Sequence, residues 1–241
     1  MDDYRESHKS IDKPGEYDQK FWTPGTPEYL FWQIEQQILE DAFDSRSSVP
    51  KMSLDFTCDT ARVLSWVAPK VEKCIGVDVS TAMLSVARER CPSAEIIEAD
   101  ITRNSAVAAG PFDFVTSFRF FLNAQRELQH EALDAIRQRI AEDGTLVVNF
   151  HLNPFSPTGV YHAIGSRLVG SPRPVASTRK ARRLIEAHGF EVTKVRGYAY
   201  LFYRRVTLRF PGLATRAENA LARWNLVPWL ASHFVVIARP C

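Results

Sequence analysis

Three aspartates, Asp55, Asp78 and Asp100, each stand at or beside the end of a short apolar run. A carboxylate at a strand tip some ~20 residues past a turn can accept hydrogen bonds from both hydroxyls of a ribose. A carboxylate can equally accept from the amino group of a base. Three such acids in succession suit a ligand that contains a nucleoside. Beside the first lies the turn Leu54-Asp55-Phe56-Thr57-Cys58-Asp59-Thr60-Ala61-Arg62. A turn that opens a helix offers backbone N–H groups to an anion.

The elements that must position these residues are legible over 53–101. A short apolar run leads into the turn, and Val63, Leu64, Val67 and Ala68 follow at helical spacing. Cys74-Ile75-Gly76-Val77 reads as a second strand ending on Asp78, and 81–89 as a helix. Ala94-Glu95-Ile96-Ile97-Glu98-Ala99 reads as a third strand ending on Asp100. The order is βαβαβ, the layout of a nucleotide-binding α/β half-domain.

This stretch resembles the cofactor half of class I, Rossmann-like methyltransferases that use S-adenosylmethionine (SAM). The matching pieces are Asp55, the Cys-x-Thr of the turn, Gly76-Val77-Asp78-Val79-Ser80, Met83-Leu84, and Ala99-Asp100-Ile101. Such families usually read Asp-x-Gly-Cys-Gly-Thr-Gly at the turn. Here Thr57, Asp59 and Ala61 replace the three glycines, so the glycine motif is degenerate. The resemblance implies a three-layer α/β sandwich around a mostly parallel seven-stranded sheet. Its last strand would run antiparallel between strands five and six, and an N-terminal helical lid would cover the mouth.

For SAM, the resemblance places Asp55 at the cofactor's ammonium, and Thr57, Cys58 and Asp59 around its carboxylate. Asp78 would take the ribose, Val79 and Met83 would flank the adenine, and Asp100 and Ile101 would bond its edge. Ser117, Arg119, Phe120 and Asn123 fall near the transferred group. Arg119 is the candidate grip for an anionic acceptor, and His151 the candidate base for one that arrives protonated. The activity implied is methyl transfer to a small-molecule acceptor, anionic or hydrophobic. Two features of the turn bear on this. Thr57 and Ala61 cost ~1–3 kcal/mol if the backbone needs glycine-like dihedrals. An aspartate about 5 Å from the ligand carboxylate opposes binding by roughly 3 kcal/mol, unless Asp59 points outward or caps the next helix. The replaced glycines therefore leave two other readings open. One is an inactive homologue serving as a partner subunit or binding module, and the other an altered enzyme using the pocket for another ligand. A dinucleotide dehydrogenase would share Asp78 but wants Gly-x-Gly-x-x-Gly and does not explain Asp100.

The remaining elements follow in order. Residues 1–19 are polar and expected to be loose. Thr26-Pro27 starts a helix to about Asp44 with Leu30, Phe31, Ile34, Ile38, Leu39 and Ala42 at helical spacing. With Trp22, Tyr29 and Trp32 as a candidate aromatic wall, 1–50 reads as an N-terminal extension and lid helix. Residues 51–241 read as the α/β domain. Strand four is expected at 112–117, a helix at 126–141, a turn at Gly144 and strand five at 145–150. An irregular substrate loop follows at about 151–176. A helix capped at Ser177 or Thr178, strand six at 190–196, a helical insertion at about 211–231 and a closing strand at 233–238 complete the chain.

The 241 residues, 45% hydrophobic, suffice for a core of this size, and the net charge of +2 says little about partners. The halves differ sharply. Residues 1–150 carry 16 Lys and Arg against 25 Asp and Glu, net −9; residues 151–241 carry 14 against 3, net +11. Arg179, Lys180, Arg182 and Arg183 crowd one helix. Arg204, Arg205 and Arg209 interleave with Tyr200, Phe202, Tyr203, Phe210 and Trp224. No nucleic-acid reading motif accompanies this charge, and the Arg–aromatic mixture fits at most a peripheral membrane contact. A protein partner also stays open. Cys58, Cys74, Cys91 and Cys241 lack metal-ligand spacing, so no metal is expected and reduced thiols are. The polar N-terminus and the absence of an 18-residue apolar run predict a cytoplasmic protein without signal peptide or membrane span.

Overall fold

The computed structural model describes residues 14–169, 175–201 and 211–241. Seven strands form one sheet: β1 Met52–Phe56, β2 Lys73–Asp78, β3 Glu95–Glu98, β4 Phe112–Ser117, β5 Ile140–Phe150, β6 Phe190–Tyr198 and β7 His233–Pro240. Their order is β3-β2-β1-β4-β5-β7-β6. β1 to β5 pair in parallel, and β7 pairs antiparallel with both β5 and β6. The strand order reverses between β1 and β4, and the crevice beyond their carboxyl ends is where open α/β sheets bind ligands.

The alternation of strand side chains splits the core in two. On one face Leu54, Val77, Val115 and Val148 meet α5 (Arg126–Arg137) and α7 (Thr178–Glu186). On the other, Cys74, Phe114, Val147 and Val235 meet α2 (Pro27–Asp44), α3 (Leu64–Val67), α4 (Thr81–Arg90) and α8 (Pro211–Trp224). α2 begins as its sequence dictates: Thr26 is the N-cap, the Tyr29 N–H donates to Thr26 Oγ1 at 3.1 Å, and Pro27 takes the first helical position. Its face of Leu30, Ile34, Ile38, Leu39 and Ala42 is buried.

Several elements differ from expectation. Helix α1 (Pro14–Trp22) forms where a loose segment was expected. α3 is one turn long and tightens into a 3₁₀ turn at Ala68–Lys70, which contains Pro69. α5 ends at Arg137, and β5 spans Gly144 without being straight. A Cβ at Gly144 would lie 2.5 Å from Ile140 Cγ1 and 2.7 Å from Ala141 O, four and three residues back along the chain. Pairing with β4 passes from Ile140 to Thr145, so the chain folds back on itself at this glycine before regular pairing resumes. Residues 151–176 hold helix α6 (Pro157–Val169). Its proline sits at the first position, where no N–H is needed, and Ser156 Oγ accepts from the Gly159 N–H at 2.9 Å. Phe202, Tyr203, Arg204, Arg205, Arg209 and Phe210 lie outside the described residues.

Candidate functional site at the carboxyl edge of the sheet

The turn after β1 keeps the backbone of a glycine turn without its glycines. Thr57, Asp59 and Ala61 have φ of 60°, 52° and 63°. This is the left-handed region that side chains disfavour, and for β-branched Thr57 it is an outlier. Such strain persists only where the surroundings over-determine the backbone, and here they do. The Cys58 N–H donates to Val77 O at 3.0 Å, and the Asp59 N–H to Asp78 Oδ2 at 3.1 Å. Arg90 of α4 donates to Thr60 O at 2.7 Å and pairs with Asp18 of α1. Arg62, buried between the rings of Phe21 and Trp32 at 4.4 Å from each, pairs with Glu35 of α2 at 2.6 Å.

Three cavities adjoin this turn. The first, ≈ 340 Å³ with its open mouth included, is lined by Phe56, Thr57, Val77, Asp78, Val79, Asp100, Ile101 and Phe120 among others. The second, ≈ 330 Å³ on the same measure, is lined by Asp18, Phe21, Asp55, Thr57, Cys58, Asp59, Arg62 and Arg119 among others. The third, ≈ 940 Å³, is lined by Lys20, Phe21, Glu28, Phe31, Glu35, Arg119, Asn123, His151 and His233 among others. Thr57 lines the first and second; Phe21 and Arg119 line the second and third. The three form one sequence along the edge of the sheet.

The carboxylates are not equivalent. Asp78 Oδ1 accepts from the Val79 and Ser80 N–H groups at 2.7 and 3.0 Å, so Asp78 braces both its own strand tip and the turn. Asp100 Oδ1 accepts from Thr102 N–H and Oγ1–H at 3.0 and 2.5 Å. Asp100 Oδ2 lies 3.7 Å from Arg103 Nε, and both acids line the first cavity. Asp55 is buried and accepts from Thr116 Oγ1 at 2.7 Å. Burial pushes its carboxyl up from 3.8 to about 7, against the lowering effects of Thr116 and Arg62. A buried carboxyl in that condition favours a cation as neighbour.

The third cavity combines neutral histidines with cations. Burial, then Arg119 and His233, holds His151 well below the usual histidine range. Burial and Arg119 bring His233 down to about 4, against the opposite pull of Glu35. The two rings lie edge to face with centroids 5.9 Å apart. Glu35 Oε1 accepts from Tyr198 OH at 2.5 Å and from Asn149 Nδ2 at 3.3 Å, while Asn149 Oδ1 accepts from the Arg119 N–H at 2.5 Å. Arg119 has φ 65° and Leu152 φ 59°, so left-handed residues follow β4 and β5 as well as β1. Backbone strain of this kind gathers at functional sites.

Most of the expected site residues meet here: Asp55, Thr57, Cys58, Asp59, Asp78, Val79, Asp100, Ile101, Arg119 and His151 all line one of the three cavities. Two do not. Met83 is fully buried in the α4 core, and Ser117 is fully buried at the end of β4. Asp59 does not stand at the N-cap of α3, a position that Val63 holds, but on the second cavity. The aromatic wall is made by Phe21 and Phe31, each one residue before the expected Trp22 and Trp32. Trp32 packs on Arg62, and Trp22 on Trp32 and Arg90. Sequence reasoning missed Arg62, Glu35 and His233. The one visible signal was Glu35, an acid inside the apolar stripe of α2.

Fold and cavities together define a Rossmann-like α/β protein with acid-lined cavities at its switch point. Residues 54–144 match the family model described as a methyltransferase domain. Among solved structures, the chain resembles the magnesium protoporphyrin IX methyltransferase of Synechocystis with bound S-adenosylhomocysteine (SAH). The two are 11% identical, with a TM-score of 0.67 over 98% of this chain and 97% of that one. It also resembles the N-methyltransferase NodS of Bradyrhizobium japonicum in complex with SAH, at 15% identity and TM-score 0.60 over 98% and 96%. A third is a putative methyltransferase in complex with the Haloferax volcanii Trm112 activator, at 13% identity and TM-score 0.61 over 100% and 99%. No curated protein matches the chain. Residues 54–144 are thus similar to a methyltransferase domain, and the chain shares the fold of these solved methyltransferases.

Proposed function

We propose that the protein is a SAM-dependent methyltransferase acting on a small molecule that enters the third cavity. The observation that carries this reading is the run of cavities itself. Asp78 and Asp100 line the first cavity together with Thr57, and Arg119 lines both the second cavity and the chamber that His151 lines. The residues present therefore fit the cofactor: Asp78 for the ribose hydroxyls, Asp100 and Ile101 for the adenine edge, Val79 for its face and Asp55 for the ammonium. When bound, SAM supplies an electrophilic methyl group on a sulfonium. Phe21, Phe31 and Arg119 hold and align the acceptor, which for an in-line displacement supplies much of the rate. His151, neutral through burial, can take a proton from an acceptor hydroxyl, and Arg119 can hold an anionic group of the acceptor.

Calorimetric titration with SAH tests the cofactor half. Micromolar binding that is lost in Asp78→Ala is expected, and no heat at millimolar SAH overturns it. A second reading has one observation in its favour, the three strained residues that replace glycine in the turn. On that reading the pocket binds without methyl transfer, in a partner subunit, a binding module or an altered enzyme. SAH binding without turnover across a panel of phenols, carboxylic acids and amines would favour it.

A further inference from the structure

Of eleven exposed large apolar side chains among the described residues, nine fall in 151–241. Scattered single residues would need no explanation, but a concentration of this kind marks an interaction surface. Phe155, Tyr161, Ile164, Trp224, Leu226 and Trp229 are each more than half exposed. Two asparagines tie the segments that carry them to their neighbours along this side of the sheet. Asn153 Nδ2 donates to Trp229 O and Ala231 O at 2.7 and 2.9 Å, which ties the start of α6 to the segment before β7. Asn225 Nδ2 donates to Val195 O at 2.8 Å, and Asn225 Oδ1 accepts from the Gly197 N–H at 2.9 Å. The residues on either side of it, Trp224 and Leu226, are thereby fixed outward from β6. Tyr161 and Ile164 are three apart and share one face of α6.

The segments that carry these side chains hold almost no acid. Residues 151–170 contain no acid, and residues 211–232 contain one, Glu218. Glu218 is buried and accepts from the Tyr200 and Leu201 N–H groups at 3.0 and 3.1 Å. Arg216 and Arg223, seven apart on α8, are exposed, and neither has an acidic partner among the described residues. Trp and Tyr carry an apolar body with a polar tip and settle at membrane interfaces, where basic side chains meet anionic headgroups. A second copy of the chain fits poorly, because a twofold contact would set Arg216 and Arg223 against the like charges of its mate.

We propose that this rim of exposed apolar side chains docks the protein on an anionic lipid bilayer. The rim borders the third cavity. Leu152 and His233 line that cavity, and the next residues, Asn153 and Ser232, are joined by the Asn153 N–H donating to Ser232 O at 3.0 Å. A docked molecule therefore holds the mouth of the chamber beside the lipid. The proposal is independent of methyl transfer and of SAM.

The experiment is co-sedimentation of the full chain with phosphatidylcholine vesicles, with and without phosphatidylserine. Binding to the anionic vesicles is expected to fall as salt rises. It is expected to fall by about tenfold in a Trp224→Glu, Leu226→Asp variant, whose sites are too exposed to disturb the fold. Arg216→Glu with Arg223→Glu should weaken binding independently. Val49→Asp, exposed but outside the rim, should leave it unchanged. Failure of the parent to sediment, equal binding to both vesicle types, or full binding by the variants overturns the proposal. A concentration-dependent dimer abolished by the same variants would assign the rim to a second copy and overturn it as well.

Discussion

Burial changes the chemistry of Asp55. Its carboxyl stands at about 7 in the folded chain against the usual 3.8, chiefly through burial. The folded state therefore holds a proton that the unfolded chain has released across that window. The stabilisation from neutral Asp55 is complete below about pH 4 and is lost as the pH rises through about 7. Asp55→Asn keeps an acceptor for Thr116 Oγ1, so it should be more stable than the parent at about pH 8 by ~2–4 kcal/mol. The two should converge toward about pH 4, and urea titrations across this range measure the difference. A constant gap at all pH values would mean that Asp55 is ionised throughout. A ligand ammonium beside Asp55 favours its charged form, so SAH should bind more tightly as the pH rises toward 8 and release a proton on binding near pH 6.5. Calorimetry in buffers of differing ionisation enthalpy detects that proton. Asp55, Asp78 and Asp100 were readable from the sequence because an acid closing an apolar run contradicts the run's own logic. Arg62 was not, because its role comes from Glu35, Phe21 and Trp32, which are distant in the chain.

At the scale of elements, the turn after β1 shows where a glycine requirement resides. A Cβ at Gly76 of β2 would stand 2.6 Å from Leu64 Cδ2 and 2.9 Å from Cys58 Sγ. The turn lies so close to β2 that only glycine fits beneath it. Gly76→Ala should thus destabilise the chain by about 1–3 kcal/mol, and Cys58→Ala in the same chain should recover part of that loss. Thr57→Gly has the opposite sign, since it relieves a left-handed threonine and should be neutral or stabilising by about 1 kcal/mol. Thermal unfolding of the three variants decides the matter, and a destabilised Thr57→Gly would show that the threonine hydroxyl outweighs the strain. The strands were legible because period and turn chemistry agree there, and the placement of β7 followed from the resemblance. α6 was hidden because its proline and two glycines read as breakers, although Pro157 occupies the one helical position that tolerates it. Strand five was expected to start after Gly144, where regular pairing with β4 does resume, at Thr145; the irregular part of β5 before it gave no strand signal.

For the whole molecule, the question is whether the N-terminal helices form a separable lid. α2 closes one of the two cores: Leu30, Ile34, Ile38 and Leu39 share a cluster with Tyr198 of β6 and with Val235 and Ile237 of β7. Asp41 of α2 pairs with Arg196 of β6 at 2.6 Å, and Arg62 of the turn pairs with Glu35. α2 is thereby tied to β6 and β7 as well as to the ligand turn. An element that completes the core cannot leave it without exposing the sheet, so α2 should unfold with the sheet and not before it. Leu39 has no exposed surface, and Leu39→Ala should cost about 2–5 kcal/mol. Trp32 of α2 is buried in the same cluster; in a parent background that keeps it as the sole tryptophan of the five, emission reports on that helix, whereas far-ultraviolet circular dichroism reports on helices and sheet together. In denaturant the two signals should move to lower midpoints in step, for the parent and for the variant alike. If tryptophan emission changes at a lower denaturant concentration than the dichroism, α2 opens on its own. Access to the third cavity, which Phe31 and Glu35 of α2 line, would then be controlled by that opening.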